Sequence, residues 1–456
     1  MLADGTEATM TTGRERRHRH VLWVCSLAVV FFGVRAWYWS LTEEEPFSDM
    51  LDYLTIGHRV ADSWTFDQSP FWQSYKPPTL PILIAGVVTL FGKSLVAWRI
   101  FAAVFVFVGA TCAAVMITRA TKRSWHGYAL LLIVAISRPS IFWSYKVATE
   151  SIAEGFGYFC IAATLWVFRR PSAIKLAVLG ALFAAAMLNR PQTAIVLPLI
   201  AGGVFLMRPR GSKLTFARRW LRSAGLSAAF CLGALLLWSP WLVRSYKLYG
   251  HVLPLTSQGP YSFLWLLDDV TAEIDGVRVT KSRIALQEEA PQHFANDYEA
   301  QAHASRFVKS WLAENGDRYP RLILSRLWST LSDRRIYLTR VSREDLLPHP
   351  VNDLLLDKSV LSMLVGVLGL IVLALRSRSA WVIGVVTMGP WVFGHFFLDY
   401  PRIIEPGIPM VLFGVAVILG VLAKFAWRRW GLPYARQELE RIDESALPPE
   451  AEFPQQ

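Results

Sequence analysis

The chain has 456 residues, 53% hydrophobic and 18% charged, and a mean hydropathy of +0.34. That balance excludes an ordinary soluble domain and describes a polytopic membrane protein. The net charge of +12 does not point to nucleic acid, because Lys and Arg fall mostly in short links between apolar segments, where they orient helices. Cys25, Cys112, Cys160 and Cys231 lie inside apolar runs with no close pair and no His at metal-ligand spacing, so neither a disulfide nor zinc is expected.

In chain order, residues 1–20 read as a basic cytoplasmic N-terminus carrying Arg14, Arg16, Arg17 and Arg19. The apolar segment 21–40 has no small-residue cleavage site behind it and reads as a retained helix. Next comes Phe47-Ser48-Asp49-Met50-Leu51-Asp52-Tyr53, after the acidic run Glu43 to Glu45. As a helix opened by Ser48, it sets Asp49, Asp52, Tyr53 and Ile56 on one side and Phe47, Leu51 and Leu54 on the other. Such a helix is expected to lie on the bilayer surface with its acids away from the lipid. Tyr75-Lys76-Pro77-Pro78 follows within the same loop, 41–94, so carboxylates and a cation gather at one membrane face.

Further apolar segments run at about 95–118, 127–143, 150–168, 174–188, 192–207, 220–242, 359–375, 380–397 and 403–425. The run 79–91 is shorter, and it decides the topology. Read as re-entrant or interfacial, it leaves the links Arg119 to Arg123, Arg169 to Lys175, Arg208 to Arg222, Arg376 to Arg378 and Lys424 to Arg429 all on the side of the basic N-terminus, as the positive-inside rule requires. The expectation is an all-α protein of about ten spanning helices with both termini cytoplasmic. It comprises a membrane module over 21–242, an external amphipathic helical region over 243–358, spanning helices over 359–425 and a cytoplasmic tail over 426–456. In that external region an amphipathic run extends from Ala302 to Leu331, beyond the acidic pair Asp268-Asp269.

This orientation gathers isolated charges on the external side: Asp49, Lys76, the link Arg138 to Glu150, Arg190, Arg244 and Arg402. Isolated charges at membrane depth are functional candidates. There is no Walker A pattern, no Gly-x-Gly-x-x-Gly opening a helix, no His-Glu-x-x-His and no Gly-x-Ser-x-Gly, so a substrate carried on a cytosolic nucleotide is not expected.

At this point the residues resemble the C-type-fold membrane glycosyltransferases that use polyprenyl-phosphate sugars. The branch is the one holding the lipid A aminoarabinose transferase, the protein O-mannosyltransferases and the bacterial Rgt-like transferases. Asp49 four residues before Tyr53 matches the first-loop acid of that branch, and Lys76-Pro77-Pro78 its Lys-Pro-Pro element. Leu188-Asn189-Arg190-Pro191 is similar to its Leu-Thr-Arg-Pro turn. Pro240-Trp241-Leu-Val-Arg244 with Gly250, Thr256, Gly259 and Leu264-Trp265 is similar to its Pro-Trp-x-x-Arg stretch, and Tyr400-Pro401-Arg402 with Pro406 to the opening of a late helix. Tyr75 stands where the aminoarabinose transferases have Glu, and Ser245 where Asn is usual, which leaves the substrate open.

The resemblance implies an enzyme of the bacterial cytoplasmic membrane with its active site external. It would transfer a sugar from a polyprenyl phosphate to an acceptor on an envelope lipid, glycan or protein, in one inverting displacement. Asp49, with Asp52 beside it, would be the catalytic acid pair. Lys76, Arg190, Arg244 and Arg402 would hold the donor phosphate, and Glu150 is a candidate second acid. No cofactor is required by this chemistry, although a divalent metal at Asp49 and Asp52 stays open. The competing reading is a lipid-linked glycan transporter without transferase activity.

Overall fold

The computed structural model describes residues 4–42, 46, 49–67, 69–206, 215–260, 272–274, 277–279, 290–321, 323–324, 360–376, 381–395 and 407–430. Ser48, Arg402 with its Tyr400-Pro401 and Pro406 neighbours, Leu264-Trp265, Asp268-Asp269, the end of the amphipathic run and the tail beyond Trp430 lie outside the described residues.

Among the described residues, ten α-helices make up the part of the chain up to Tyr249. They are α1 (Asp4–Ser40), α2 (Asp49–Ser63), α3 (Thr79–Phe91), α4 (Leu95–Thr121), α5 (Ser124–Ile136), α6 (Arg138–Tyr145), α7 (Thr149–Arg169), α8 (Ala173–Asn189), α9 (Val196–Leu206) and α10 (Phe216–Tyr249). After them come a small antiparallel hairpin, Ala272–Ile274 against Val277–Val279, and α11 (Asp297–Asn315), α12 (Val360–Arg376), α13 (Trp381–His395) and α14 (Ile408–Trp430). Where they are described, the ten apolar segments are helical, 127–143 with a break at Ser137. Among the described residues, His20–Ser40, Leu95–Thr121, Thr149–Arg169 and Trp220–Tyr249 are long and apolar enough to cross a bilayer alone, and α5 with α6 forms an apolar pair bent by 53°, the geometry of a broken span or a re-entrant loop. The 13 residues of α3 measure about 20 Å, short of a hydrocarbon core of about 30 Å.

The inward faces follow the helical period. On α1, Leu27, Phe31 and Arg35 are buried at steps of four, while Val29 between them is 73% exposed. One continuous apolar core joins Phe31, Trp98, Leu130, Ile152, Phe183 and Phe413 from six of the helices. Leu221, Leu236 and Leu375 point outward and are largely exposed, the pattern of helices that meet lipid.

Three features depart from the hydropathy reading. The segment 127–143 breaks at Ser137, just before Pro139, whose missing N–H and ring disfavour a continuous helix. The helix that carries Pro240 continues past 242 to Tyr249, where Gly250 in the left-handed region (φ 68°) ends it. The hairpin adds a β element to a chain whose periodicity is otherwise helical.

Backbones touch where side chains are absent. A Cβ placed on Gly180 of α8 would collide with the carbonyl oxygen of Phe230 on α10, and one on Gly233 of α10 with the backbone of Ala177. Small residues let two membrane helices approach this closely. Gly180→Ala is therefore expected to destabilise the detergent-solubilised protein by about 1–3 kcal/mol, as over-packing does. Gly202→Ala, at a helical position with open space, should be neutral or slightly stabilising. Thermal melting of both variants beside the wild type checks this.

Candidate functional site

Helix α2 begins at Asp49, so Asp49 and Asp52 share a face one turn apart. Met50, Tyr53, Ile56 and Val60 are the buried residues of the same helix and seat it on α3, while Leu51 is exposed. Lys76 reaches this helix from the loop that precedes α3. Its Nζ lies 2.6 Å from Asp49 Oδ1 and 3.2 Å from Asp52 Oδ2. The lysine side chain is 2% exposed and the two acids 20% and 25%, so the cation is held below a partly open pair of carboxylates. The Tyr53 and Tyr75 rings flank the ammonium with centroids at 5.0 and 5.7 Å. A buried ammonium is strongly unfavourable unless paired, and here two acids lie on one cation.

The trio can take a proton on a carboxylate and offer N–H donors to an anionic oxygen. It does not fit a divalent ion. The ammonium sits between the acids, where the metal would have to be, and among the described residues no third His, Cys, Asp or Glu joins them.

The loop that carries Lys76 is held from behind. Arg244, on the last turns of α10, donates to Ser74 Oγ (3.0 Å), the Gln73 carbonyl (2.9 Å) and Asp67 Oδ1 (3.1 Å). Its guanidinium also lies near the Trp241 and Phe66 rings. Asp297, in the first turn of α11 and with no exposed surface, accepts from the Ser74 amide (2.8 Å), Ser257 Oγ (2.9 Å) and Tyr249 Oη (2.7 Å). Burial raises the Asp297 carboxyl above its ordinary range, against the opposing pull of these three donors and of Arg244. Aromatic packing reinforces the joint: Trp72 and Tyr75 form a small core with Ala300, Ala304, Phe307 and Trp311 of α11 and its flanks.

Glu150 and Arg190 meet elsewhere. Glu150, buried at the start of α7, lies 3.7 Å from an Arg190 nitrogen, and the neighbouring Asn189 donates to the Thr149 carbonyl at 3.0 Å. Arg190 is extended because Pro191 follows it, and Pro191 opens a 3-10 turn leading into α9. A cavity of about 70 Å³ lies beside this pair, lined by Glu154, Arg190, Gln192, Thr193 and Thr387.

Asp49, Asp52 and Lys76 come together, Glu150 pairs with Arg190, and Arg244 grips the loop behind Lys76. Two groups were missed. Asp297 gave no local signal, since its partners are 223 and 40 residues away. Arg35 and Glu154 stood in plain view as single charges inside apolar runs. Arg35, fully buried, donates to the Val134 and Ala135 carbonyls left open by the break after α5, and to Ser140 Oγ (2.6 Å). Tyr158 donates to Glu154 at 2.9 Å.

Residues 75–243 match the family model described as dolichyl-phosphate-mannose-protein mannosyltransferase. No curated protein matches the chain by sequence. Among solved structures, the archaeal oligosaccharyltransferase AglB from Archaeoglobus fulgidus, in complex with an inhibitory peptide and a dolichol-phosphate, superposes with a TM-score of 0.51 at 11% identity. That match covers 96% of this chain and 53% of AglB, so the chain spans about half of that protein. ArnT from Cupriavidus metallidurans, bound to undecaprenyl phosphate, is similar at a TM-score of 0.39 and 14% identity, covering 86% of this chain and 78% of that one. The chain is a multi-pass helical membrane protein with the C-type glycosyltransferase fold, similar over residues 75–243 to the dolichyl-phosphate-mannose-protein mannosyltransferases.

Proposed function

We propose that the protein transfers a sugar from a polyprenyl phosphate to an acceptor hydroxyl or amine on an envelope lipid, glycan or protein, at the external face of a bacterial cytoplasmic membrane. The observation that carries this reading is the buried Lys76 ammonium between Asp49 and Asp52. In a fold shared with lipid-carrier glycosyltransferases, that trio supplies both groups the reaction needs.

The acceptor O–H or N–H loses its proton to Asp49 as the acceptor atom attacks the anomeric carbon. The bond from that carbon to the phosphate oxygen breaks, and polyprenyl phosphate leaves as a monoester with one more negative charge. Attack opposite the leaving group inverts the anomeric centre. The growing charge needs a fixed cation, and Lys76 is the nearest. Its present ion pairs are the resting state in this account: the donor phosphate exchanges with Asp49 at the ammonium, which leaves the carboxylate ionised and beside the acceptor. Asp52 stays on Lys76 and keeps the cation oriented. Arg244 braces the loop behind Lys76, and Arg190 pairs with Glu150; Arg402 lies outside the described residues.

The test is transfer of labelled sugar from a panel of polyprenyl-phosphate donors by protein in lipid nanodiscs. Asp49→Asn should lower kcat by about 10²–10⁴-fold, the range for a general base, with melting unchanged. Lys76→Met should lower kcat/KM by about 10²–10³-fold, as loss of an oxyanion partner does. An Asp49→Asn variant as active as the wild type removes the base assignment. A folded wild type that turns over no donor in the panel removes the transferase reading and favours a transporter.

A further inference from the structure

The geometry points to Asp297 as the residue that positions Lys76: through its bond to the Ser74 amide it clamps the strand Ser74-Tyr75-Lys76 to α11 and α10, and so sets where the ammonium stands. This inference rests on the reading of Lys76 as the donor-phosphate cation.

The ordinary explanation for an acid in the first turn of a helix is compensation of the helix dipole. Here that work is done by others. Asn296 Oδ1 caps α11 by accepting from the Glu299 amide at 2.9 Å, and the Glu299 carboxylate accepts from the Ala295 amide, one residue before the cap, at 3.2 Å. Asp297 turns away from its own helix. Both of its oxygens are spent on residues distant in sequence: Oδ2 on Ser74 N–H and Ser257 Oγ, Oδ1 on Tyr249 Oη.

The strand is gripped at consecutive groups. The Ser74 amide goes to Asp297, the Ser74 carbonyl accepts from the Ser257 amide (3.1 Å), and Ser74 Oγ receives Arg244 and lies 2.9 Å from Tyr249 Oη. Two residues later stands Lys76, and then Pro77-Pro78, which stiffens the exit into α3. A segment fixed on both sides of the lysine leaves its side chain one place to reach. A shift of about 1 Å at such a group can lower a rate about a hundredfold. The aromatic contact of Trp72 and Tyr75 with α11 supplies adhesion without direction, whereas the carboxylate supplies direction.

An amide can replace this carboxylate. In Asp297→Asn the side-chain oxygen keeps the Ser74 and Ser257 donors, the new NH₂ group donates to Tyr249 Oη, and the tyrosine proton turns to Ser74 Oγ. Asp297→Ala has no such substitute. The experiment measures amide hydrogen exchange and kcat/KM with a polyprenyl-phosphate sugar for wild type, Asp297→Ala, Asp297→Asn and Ser257→Ala in nanodiscs.

The expected result is faster exchange at Ser74 and Ser257 in Asp297→Ala, unchanged exchange in the membrane helices, and a tenfold to hundredfold loss of kcat/KM. Asp297→Asn should stay within about threefold of wild type, and Ser257→Ala should fall between. Unchanged exchange at Ser74 in Asp297→Ala, or an Asp297→Asn variant as impaired as the alanine one, overturns the assignment. If Asp297→Ala unfolds throughout, an Asp297→Asn and Ser257→Ala pair both indistinguishable from wild type at Ser74 also overturns it. If the wild type turns over no donor while the exchange pattern holds, the clasp stands and the catalytic reading of Lys76 falls instead.

Discussion

A lysine ammonium nearly sealed from solvent between two carboxylates is the interaction on which the rest of this molecule depends. Removing an ammonium from water is strongly unfavourable, and only close opposite charge offsets it. At 2.6 and 3.2 Å, Asp49 and Asp52 meet that condition. On the proposed function, an incoming donor phosphate takes one carboxylate's place at the cation while the other carboxylate keeps hold of it.

The surrounding architecture holds that trio still. Helix α2 is seated on α3 by Tyr53, Ile56 and Val60, and α3 is tied to α8 through Thr79, which donates to the Ala185 carbonyl at 3.0 Å. From the other side, α10 and α11 hold the loop of Lys76 through Arg244, Tyr249 and Asp297. Farther into the bundle, Arg35 closes the carbonyls exposed by the bend between α5 and α6 and lies on the Phe31 ring, so a charge in an apolar helix serves as a structural bolt. The site is therefore built at the meeting of sequence-distant pieces, each fixed by its own polar contact.

Much of this could be read from the chain. The spacing Asp49–Asp52 places two acids on one helical face, and Lys76 before two prolines is a cation in a stiff loop, so their convergence follows from local rules. The described parts of the ten apolar segments are helical for the same reason. Hydropathy misplaced the end of α10 because Arg244 and Lys247 lower the local average without interrupting the helix; Gly250 was the better stop signal. Pro139 marked the break in the 127–143 segment. Asp297 was illegible because nothing near it in sequence distinguishes it from a helix-capping acid. Its role appears only when a contact across 223 residues is formed.

The central claim, that phosphate and Asp49 compete for the Lys76 ammonium, is tested most directly by the affinity of undecaprenyl phosphate for wild type and Asp49→Asn in nanodiscs. Removing a negative charge a few ångströms from the phosphate lowers repulsion by a few kcal/mol at most in such a setting. The account predicts that Asp49→Asn binds the lipid phosphate at least about threefold more tightly while its transfer activity is lost. Binding that is unchanged or weaker in Asp49→Asn would contradict it.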